Sequence, residues 1–444
     1  MSPLHHAGRE LELVRGKSLF DYADELGLRL PASCGRAGDC HECIVEVLRG
    51  MEALTPPAAA EAFLSGSYRL ACQARVTSTD ANIEFASLRR QAQILTRGMR
   101  REFSPEPLTV RRGHDVFYLG GPGGSRDPER VGRWPGGLYG VALDAGTTTV
   151  VANLVDLERA RTVYTASFEN PQCFGGSDVM HRISYDTGPF RGELKAAIIS
   201  RLNFEIGDMC GRTGIPSEHI CEMVVVGNST MRDIFFGLDV RSIGLKPFRS
   251  VTEYEFERGE RESTALSVNA GELGVAIRPE ATVYGAPLIG SHVGADAAAG
   301  VLAVGMDEED ETVMFVDVGT NTEVVVGNRH RLLAASCPAG PAFEGGGIAF
   351  AMPGYEGAVE RLSLRDGSVE YRTIADKPPQ GICGSGLIDL LAELRRTGRM
   401  SEMGAFTDGS AEFAFVPEKG MTLSRTDVSA LAQAKAANYS GQSI

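Results

Sequence analysis

The stretch YGVALDAGTTTVVANLV, beginning at Tyr139, returns as VMFVDVGTNTEVVVGNR from Val313. Both copies read as an apolar strand, Asp, an apolar residue, Gly, Thr, a polar residue, Thr, and a second apolar strand. Asp144 and Asp317 stand 173 residues apart. A supersecondary unit repeated at lobe-sized spacing constrains the fold strongly, because each copy needs its own packing layer. The expectation is two similar α/β lobes facing a cleft. Between the copies, ARTVYTASF reads as a strand and RGELKAAIISRLNFEIGDMCGRTG has helical periodicity. EMVVVGN is a further strand, followed by a helix from Ser229, and GADAAAGVLAVGM is a small-residue helix. After the second copy come three strands over about 313–336, a Gly-rich insertion, a helix around GSGLIDLLAELRRTG, a weak hairpin near 412–425 and a helix from Asp427. No counterpart of VVVGN follows, so the second lobe is expected to be incomplete.

A tight turn carrying Gly and hydroxyl residues exposes backbone N–H groups toward an anion. Asp144, Gly146, Thr147 and Thr148 occupy one such turn, and Asp317, Gly319, Thr320 and Asn321 the other. The hydroxyls and the amide add donors, and each Asp can hold a hydrated magnesium ion. Two turns, one per lobe, would grip the phosphates of a nucleotide from both sides. The competing reading is two ordinary hairpins. Gly227 and Asn228, at a strand end, either approach the nucleotide or form a plain strand-to-helix turn with Ser229 as N-cap. There is no G-x-x-x-x-G-K-[ST], no G-x-G-x-x-G and no G-x-S-x-G, so a P-loop, a Rossmann dinucleotide site and a serine hydrolase are unsupported.

Nine cysteines occur, four of them within the first 72 residues. Cys34, Cys40 and Cys43 are separated by five and two residues, and Cys72 follows after 28 more. Three close thiolates on one loop plus a distant fourth is the layout of a 2Fe–2S ferredoxin, here with a first gap one residue longer than the plant type. The intervening GRAGD brings two Gly, which permit the loop to wrap a cluster. A structural zinc site remains the alternative, weakened because only one C-x2-C knuckle is present; unliganded thiols are the third reading. His41 does not make this a Rieske centre, since all four Cys are there. Cys173, Cys210, Cys221, Cys337 and Cys383 read as core or loop thiols.

Lys plus Arg total 44 against 58 Asp plus Glu, a net charge of −14, which excludes general nucleic-acid binding. Arg89 to Arg112 is a local exception with seven Arg and two Glu, read either as a solvated connector or as a docking strip for an acidic partner. Five Pro and eight Gly fall between Ser104 and Gly137, the composition of a flexible or irregular connector. No apolar run approaches 18 residues and MSPLHHAGRE has no h-region, so no membrane contact and a cytoplasmic location are expected. The boundaries follow: a cysteine domain over 1–90, a basic and Pro/Gly-rich connector over 91–137, a first lobe over 138–310 and a second over 311–444.

The order of quartet, connector, DAGTTT, VVVGNSTM, VGADAAAGVL, VDVGTNTE, CPAGPAFEGGGI and GICGSGLIDLLAEL resembles the reductive activators of corrinoid-dependent methyltransferases. The resemblance implies an α+β ferredoxin-like (β-grasp) amino-terminal domain. An α/β actin-like domain, RNase H-like and duplicated, would follow it. It implies a 2Fe–2S cluster on Cys34, Cys40, Cys43 and Cys72, with ATP and magnesium in the cleft. One electron would pass to a Co(II) corrinoid carried by a partner protein, since no D-x-H-x-x-G corrinoid signature is present. An upstream electron donor is implied, a homodimer is left open as the assembly, and no catalytic residue is assigned. Two departures stand against the resemblance: the short connector, and a chain that ends before the late Gly-Gly segment that closes over adenosine. An electron carrier with an actin-like docking module and no turnover is therefore the second hypothesis; a sugar kinase would leave the cluster without a purpose.

Three smaller features have paired readings. Residues 340–350 either line the cleft or pack as a loop. Glu323 either orients water or metal or is a surface carboxylate. His292 reads as a satisfied core or rim histidine.

Overall fold

Short alternating segments at the amino end build a five-stranded sheet in the order Arg9–Glu12, Pro3–His6, Ile83–Ser87, Ile44–Arg49, Tyr68–Leu70. The computed structural model describes residues 3–6, 9–88, 106–119, 128–344, 346–365 and 367–444. Pro3–His6 runs parallel to Ile83–Ser87, with Leu4 opposite Ile83; the other neighbours are antiparallel. The helix Leu19–Glu25 crosses this sheet. It begins in a capping box, where Ser18 Oγ accepts from the Asp21 N–H at 3.1 Å and Asp21 accepts from the Ser18 N–H at 2.9 Å. Leu4, Leu19, Tyr22, Val45, Leu70 and Ile83 are fully buried between helix and sheet; each large apolar side chain so placed stabilises the domain by about 1.5–3 kcal/mol. Of the stretch QARVTSTDANIEF only the end forms a strand. Arg75 and Val76 make single bridges, and Asp80 N–H bonds to Ser78 Oγ at 3.2 Å. Short polar side chains there satisfy the backbone locally in place of a ladder.

The connector is not irregular throughout. Thr109–Arg112, Asp115–Tyr118 and Glu129–Arg133 form a three-stranded antiparallel sheet. Trp134 closes it against the first lobe, packing with Val116, Leu138 and Cys221 under the Arg278 guanidinium, which lies 4.1 Å from the ring. Gly113, at φ 68°, makes the turn between the first two of these strands, and residues 120–127 lie outside the described residues. Most of the Arg89–Arg112 strip lies outside the described residues.

The first lobe is a six-stranded sheet in the order Arg161–Glu169, Thr149–Asp156, Tyr139–Ala145, Ile220–Val226, Thr282–Gly285, Leu266–Asn269. Tyr139–Ala145 pairs antiparallel with Thr149–Asp156 and parallel with Ile220–Val226. The helix Glu193–Thr213 covers it through Ile198, Leu202, Ile206 and Met209. In the second lobe the repeat forms a three-stranded sheet, Val313–Val318, Thr322–Asn328 and Arg331–Cys337, with the same antiparallel hairpin start. A second small sheet of Ala358–Arg365, Ser368–Thr373 and Gly381–Ile382 follows, within the stretch read from sequence as an insertion. The helices Gly384–Arg396 and Arg425–Ser443 lie where expected, the latter capped by Ser424 with Asp427. Among the described residues no helix is long and apolar enough to cross a membrane.

Candidate functional site

The cysteine loop is bent by left-handed backbone at Gly35, Arg36, Gly38 and His41. Gly38 is required there, because a Cβ would come within 2.9 Å of the Gln73 side chain as well as straining the backbone. The bend sets the thiols in two pairs. Cys34 accepts from the Cys40 thiol and from the N–H groups of Cys40, Gly38 and Asp39, which bring its pKa down to about 7. Burial raises Cys40. Cys43 and Cys72, both buried, form the second pair: contact with Cys72 and burial push Cys43 up, while contact with Cys43 brings Cys72 down to about 6. Gln73 Nε2 lies 3.3 Å from Cys72 Sγ.

Among the described residues no three His, Cys, Asp or Glu side chains converge as a preformed site for one metal ion. A single tetrahedral zinc would draw four thiolates to one point. Two thiol pairs in a cradle of N–H donors instead suit a two-iron cluster, whose thiolates and sulfides accept such hydrogen bonds.

The strand leading into Cys72 is pinned by a buried ion pair. Glu61 accepts from Arg69 Nε at 2.8 Å and Nη2 at 3.0 Å, and from the N–H groups of Leu70 at 2.8 Å and Ala58 at 2.7 Å. On the other side of the cysteine loop, His41 stacks on Phe63 with centroids 4.1 Å apart, and its Nδ1 lies 3.0 Å from Glu193 Oε2 at the start of the long helix. Phe63 meets Phe174 edge-on at 5.6 Å, and Tyr185 OH donates to the Phe63 carbonyl at 2.6 Å. One continuous apolar cluster therefore joins the cysteine domain to the first lobe.

The two Asp-Gly-Thr turns meet. Thr148 Oγ1 and Thr320 Oγ1 are 3.3 Å apart, and Asn228 Nδ2 donates to Thr147 Oγ1 at 2.9 Å. The first turn and the Ile220–Val226 strand end beside it depend on bare glycines: a Cβ on Gly146 would sit 2.4 Å from the Thr149 carbonyl oxygen, and one on Gly227 2.8 Å from that of Ala145. Asn321 stands half-buried beside Thr320, and Gly319 lies between the turn and the Glu344 carboxylate. Asn228, not Ser229, caps the following helix, its Oδ1 accepting from Met231 N–H at 3.0 Å; the amide thus serves both the cap and the turn.

The sequence reading missed Asp296, at the start of the helix Ala295–Val304, although VGADAAAGVL contains it. Asp144, Asp296 and Asp317 lie near enough for their charges to act on one another. Asp144 is open to the cleft by surface area, yet surrounding protein leaves it poorly solvated. That desolvation, with the charges of Asp296 and Asp317, pushes it up to about 7. Burial and Asp317 likewise push Asp296 up to about 6, and burial raises Asp317. Glu323 is buried, not superficial; burial pushes it up to about 8 against a 2.8 Å hydrogen bond from Ser336. Carboxylates that raise one another's pKa are eased by a cation nearby, and magnesium typically keeps water and phosphate in its shell rather than an all-protein cage.

The Gly-rich segment seats on the second turn, with Gly340 N–H on the Thr320 carbonyl at 2.9 Å and Thr320 Oγ1 3.4 Å from Glu344 Oε1; Gly345 lies outside the described residues. His292 is a rim residue tilted over Phe248 at 5.2 Å.

Comparison with known proteins agrees with this geometry. Residues 4–77 match the 2Fe-2S iron-sulfur cluster binding domain, 139–309 the RACo middle region, and 311–444 the C-terminal domain of RACo, the ASKHA domain. The corrinoid activation enzyme RamQ of Eubacterium limosum is 28% identical over 492 aligned positions, covering 97% of this chain and 81% of the relative. A [Co(II) methylated amine-specific corrinoid protein] reductase of Methanosarcina barkeri is 26% identical over 233 positions, covering 50% and 40%. A solved structure of a reductive activator for a corrinoid, iron-sulfur protein superposes with a TM-score of 0.66 at 28% identity, covering all of this chain and 82% of the other. The cofactors of these domains are a 2Fe–2S cluster and ATP. With a cluster-binding domain followed by both RACo regions in their order, the chain belongs to the RACo family of corrinoid reductive activators.

Proposed function

We propose that this chain is an ATP-dependent reductive activator of a corrinoid protein, with Cys34, Cys40, Cys43 and Cys72 as cluster ligands. The cluster, when bound, supplies the single electron that takes Co(II) to Co(I) on the partner. Cys34 and Cys40 lie at the more exposed edge and Cys43 and Cys72 at the buried one, so the Cys34 side faces the partner. In the cleft, Asp144 and Asp317 hold hydrated magnesium, and Gly146, Thr147, Thr148, Gly227, Asn228, Gly319, Thr320 and Asn321 orient phosphates. A nucleotide changes the reduction only by binding one lobe arrangement better than another. The single observation that carries the reading is the pairing of a thiol-bearing domain, whose apolar core runs on into the first lobe, with two Asp-Gly-Thr turns that touch at Thr148 and Thr320.

The finer architecture belongs to the same proposal. The amino-terminal sheet and helix are of β-grasp type over 1–90, the connector spans 91–137, and the lobes span 138–310 and 311–444, RNase H-like, with the second less complete. A cytoplasmic location, an upstream donor and a homodimer complete it. The test is anaerobic mixing of reconstituted protein, a reductant, magnesium-ATP and a Co(II) corrinoid protein, following the Co(I) absorption. ATP-stimulated Co(I) formation supports the reading; no Co(I) with or without ATP sinks it. A second reading, a carrier without turnover, draws on the repeat sheet having three strands in the second lobe against six in the first among the described residues. Reduction of equal rate with and without ATP would favour it.

A further inference from the structure

The buried Asn170 follows the strand Arg161–Glu169 and touches the first turn twice. Its Nδ2 donates to the Gly146 carbonyl at 2.8 Å, and its own N–H donates to the Thr148 carbonyl at 2.8 Å. Its Oδ1 faces the other way, accepting from Gln172 N–H at 2.9 Å and capping the short helix Pro171–Gly175. That helix carries Phe174, the edge-on partner of Phe63, on which His41 of the cysteine loop stacks. Gln172 Nε2 continues to the Leu194 carbonyl at 3.1 Å, in the first turn of the helix whose Glu193 meets His41. Gly175 admits no Cβ, which would lie 2.6 Å from Leu194 Cδ2. The segment 170–175 is therefore fixed at both ends by directional bonds and tight packing, with little slack to absorb a shift.

We propose that Asn170 is a positioning residue coupling the phosphate-facing turn to the seat of the cysteine domain, so that magnesium-nucleotide binding and docking of that domain favour each other. The inference rests on the nucleotide reading of the turns given above. A phosphate drawing on the donors of Gly146–Thr148 fixes the two carbonyls that Asn170 holds, and through Phe174 and Gln172 it fixes the surface on which Phe63 and His41 rest. Coupling is reciprocal: whatever factor the nucleotide contributes to docking, docking contributes to nucleotide affinity.

The test uses the full chain with its cluster, prepared anaerobically, with magnesium and a non-hydrolysable ATP analogue. Deuterium exchange is read in peptides covering residues 59–70 and 190–200, and analogue affinity by calorimetry. In the unaltered chain the analogue should slow exchange in both peptides by about fivefold or more, the lower end of measured couplings. Asn170→Ser keeps a capping oxygen but loses the reach to Gly146; it should still bind the analogue while the slowing disappears. Tyr185→Phe removes the bond to the Phe63 carbonyl from the far end, and should raise basal exchange at 59–70 and weaken the analogue by the same factor. Analogue binding without slowing in the unaltered chain, or full slowing in Asn170→Ser, overturns the coupling and leaves the nucleotide site standing. No analogue binding to the unaltered chain overturns both.

Discussion

Replacing Glu61 by alanine should unfold the cysteine domain more easily than any single loss of an apolar side chain at its surface. Glu61 and Arg69 are each 2% exposed. Once the carboxylate is gone, the guanidinium is left, among the described residues, with Met51 Sδ at 3.7 Å as its remaining hydrogen-bond partner, and the N–H groups of Leu70 and Ala58 lose their acceptor. Breaking a buried pair from one side costs about 3–5 kcal/mol because an uncompensated charge remains. That is a large share of the roughly 5–15 kcal/mol that stabilises a whole domain. It corresponds to roughly a 10²- to 10⁴-fold shift in the unfolding equilibrium. Arg69→Met should cost less, since Glu61 keeps two backbone donors. The assay is urea unfolding of the cluster-loaded chain, followed together by visible absorption and far-UV circular dichroism. The reasoning is refuted if Glu61→Ala costs under about 1 kcal/mol, or if Arg69→Met costs as much or more.

Other outcomes follow from the same geometry. Cys34→Ser should abolish the visible absorption of the cluster; an unchanged spectrum with iron bound removes Cys34 as a ligand. Asp144→Ala or Asp317→Ala should weaken magnesium-nucleotide binding by about tenfold or more while the cluster spectrum survives. Unchanged affinity in both, measured by calorimetry, would count against the cleft. Glu222, between the connector sheet and the first lobe, is pushed up to about 7 by burial, and its Oε2 has no hydrogen-bond partner among the described residues. Its folded state holds the proton more tightly than the unfolded chain. Its stabilisation is therefore full below about pH 4.5 and is lost as pH rises through 7, a change of about 3 kcal/mol at most. Glu222→Gln should flatten that decline; equal melting-temperature profiles of variant and parent between pH 5 and 8 would refute it.

The cysteine spacing and the repeated turns were legible because both are local. Three of the four thiols lie within ten residues, and each turn within six. The connector strands were not legible, because Gly and Pro density describes both a tether and the turns of a small sheet, and the choice depended on Trp134 finding Arg278 and Cys221. Glu323 read equally well as superficial, since a single carboxylate after a turn carries no mark of its burial. Asp296 and Asn170 were hidden for a related reason. Their partners lie on other elements, and a lone Asp at a helix start or Asn at a cap has a sufficient local explanation.

The sequence alone determined which chemistry this chain carries. Thiolate count and spacing limit the metal, and a duplicated strand–turn–strand unit compels two lobes, since both depend on covalent order and short-range geometry. The tertiary structure alone decided how these parts are joined: His41 on Phe63, Phe174 beneath it, Asn170 against Gly146, and the turns touching at Thr148 and Thr320. Such contacts join segments remote in sequence, more than a hundred residues apart for Phe63 with Phe174 and for Thr148 with Thr320; apolar burial and cross-element hydrogen bonds select them in the folded state and leave no periodic trace along the chain.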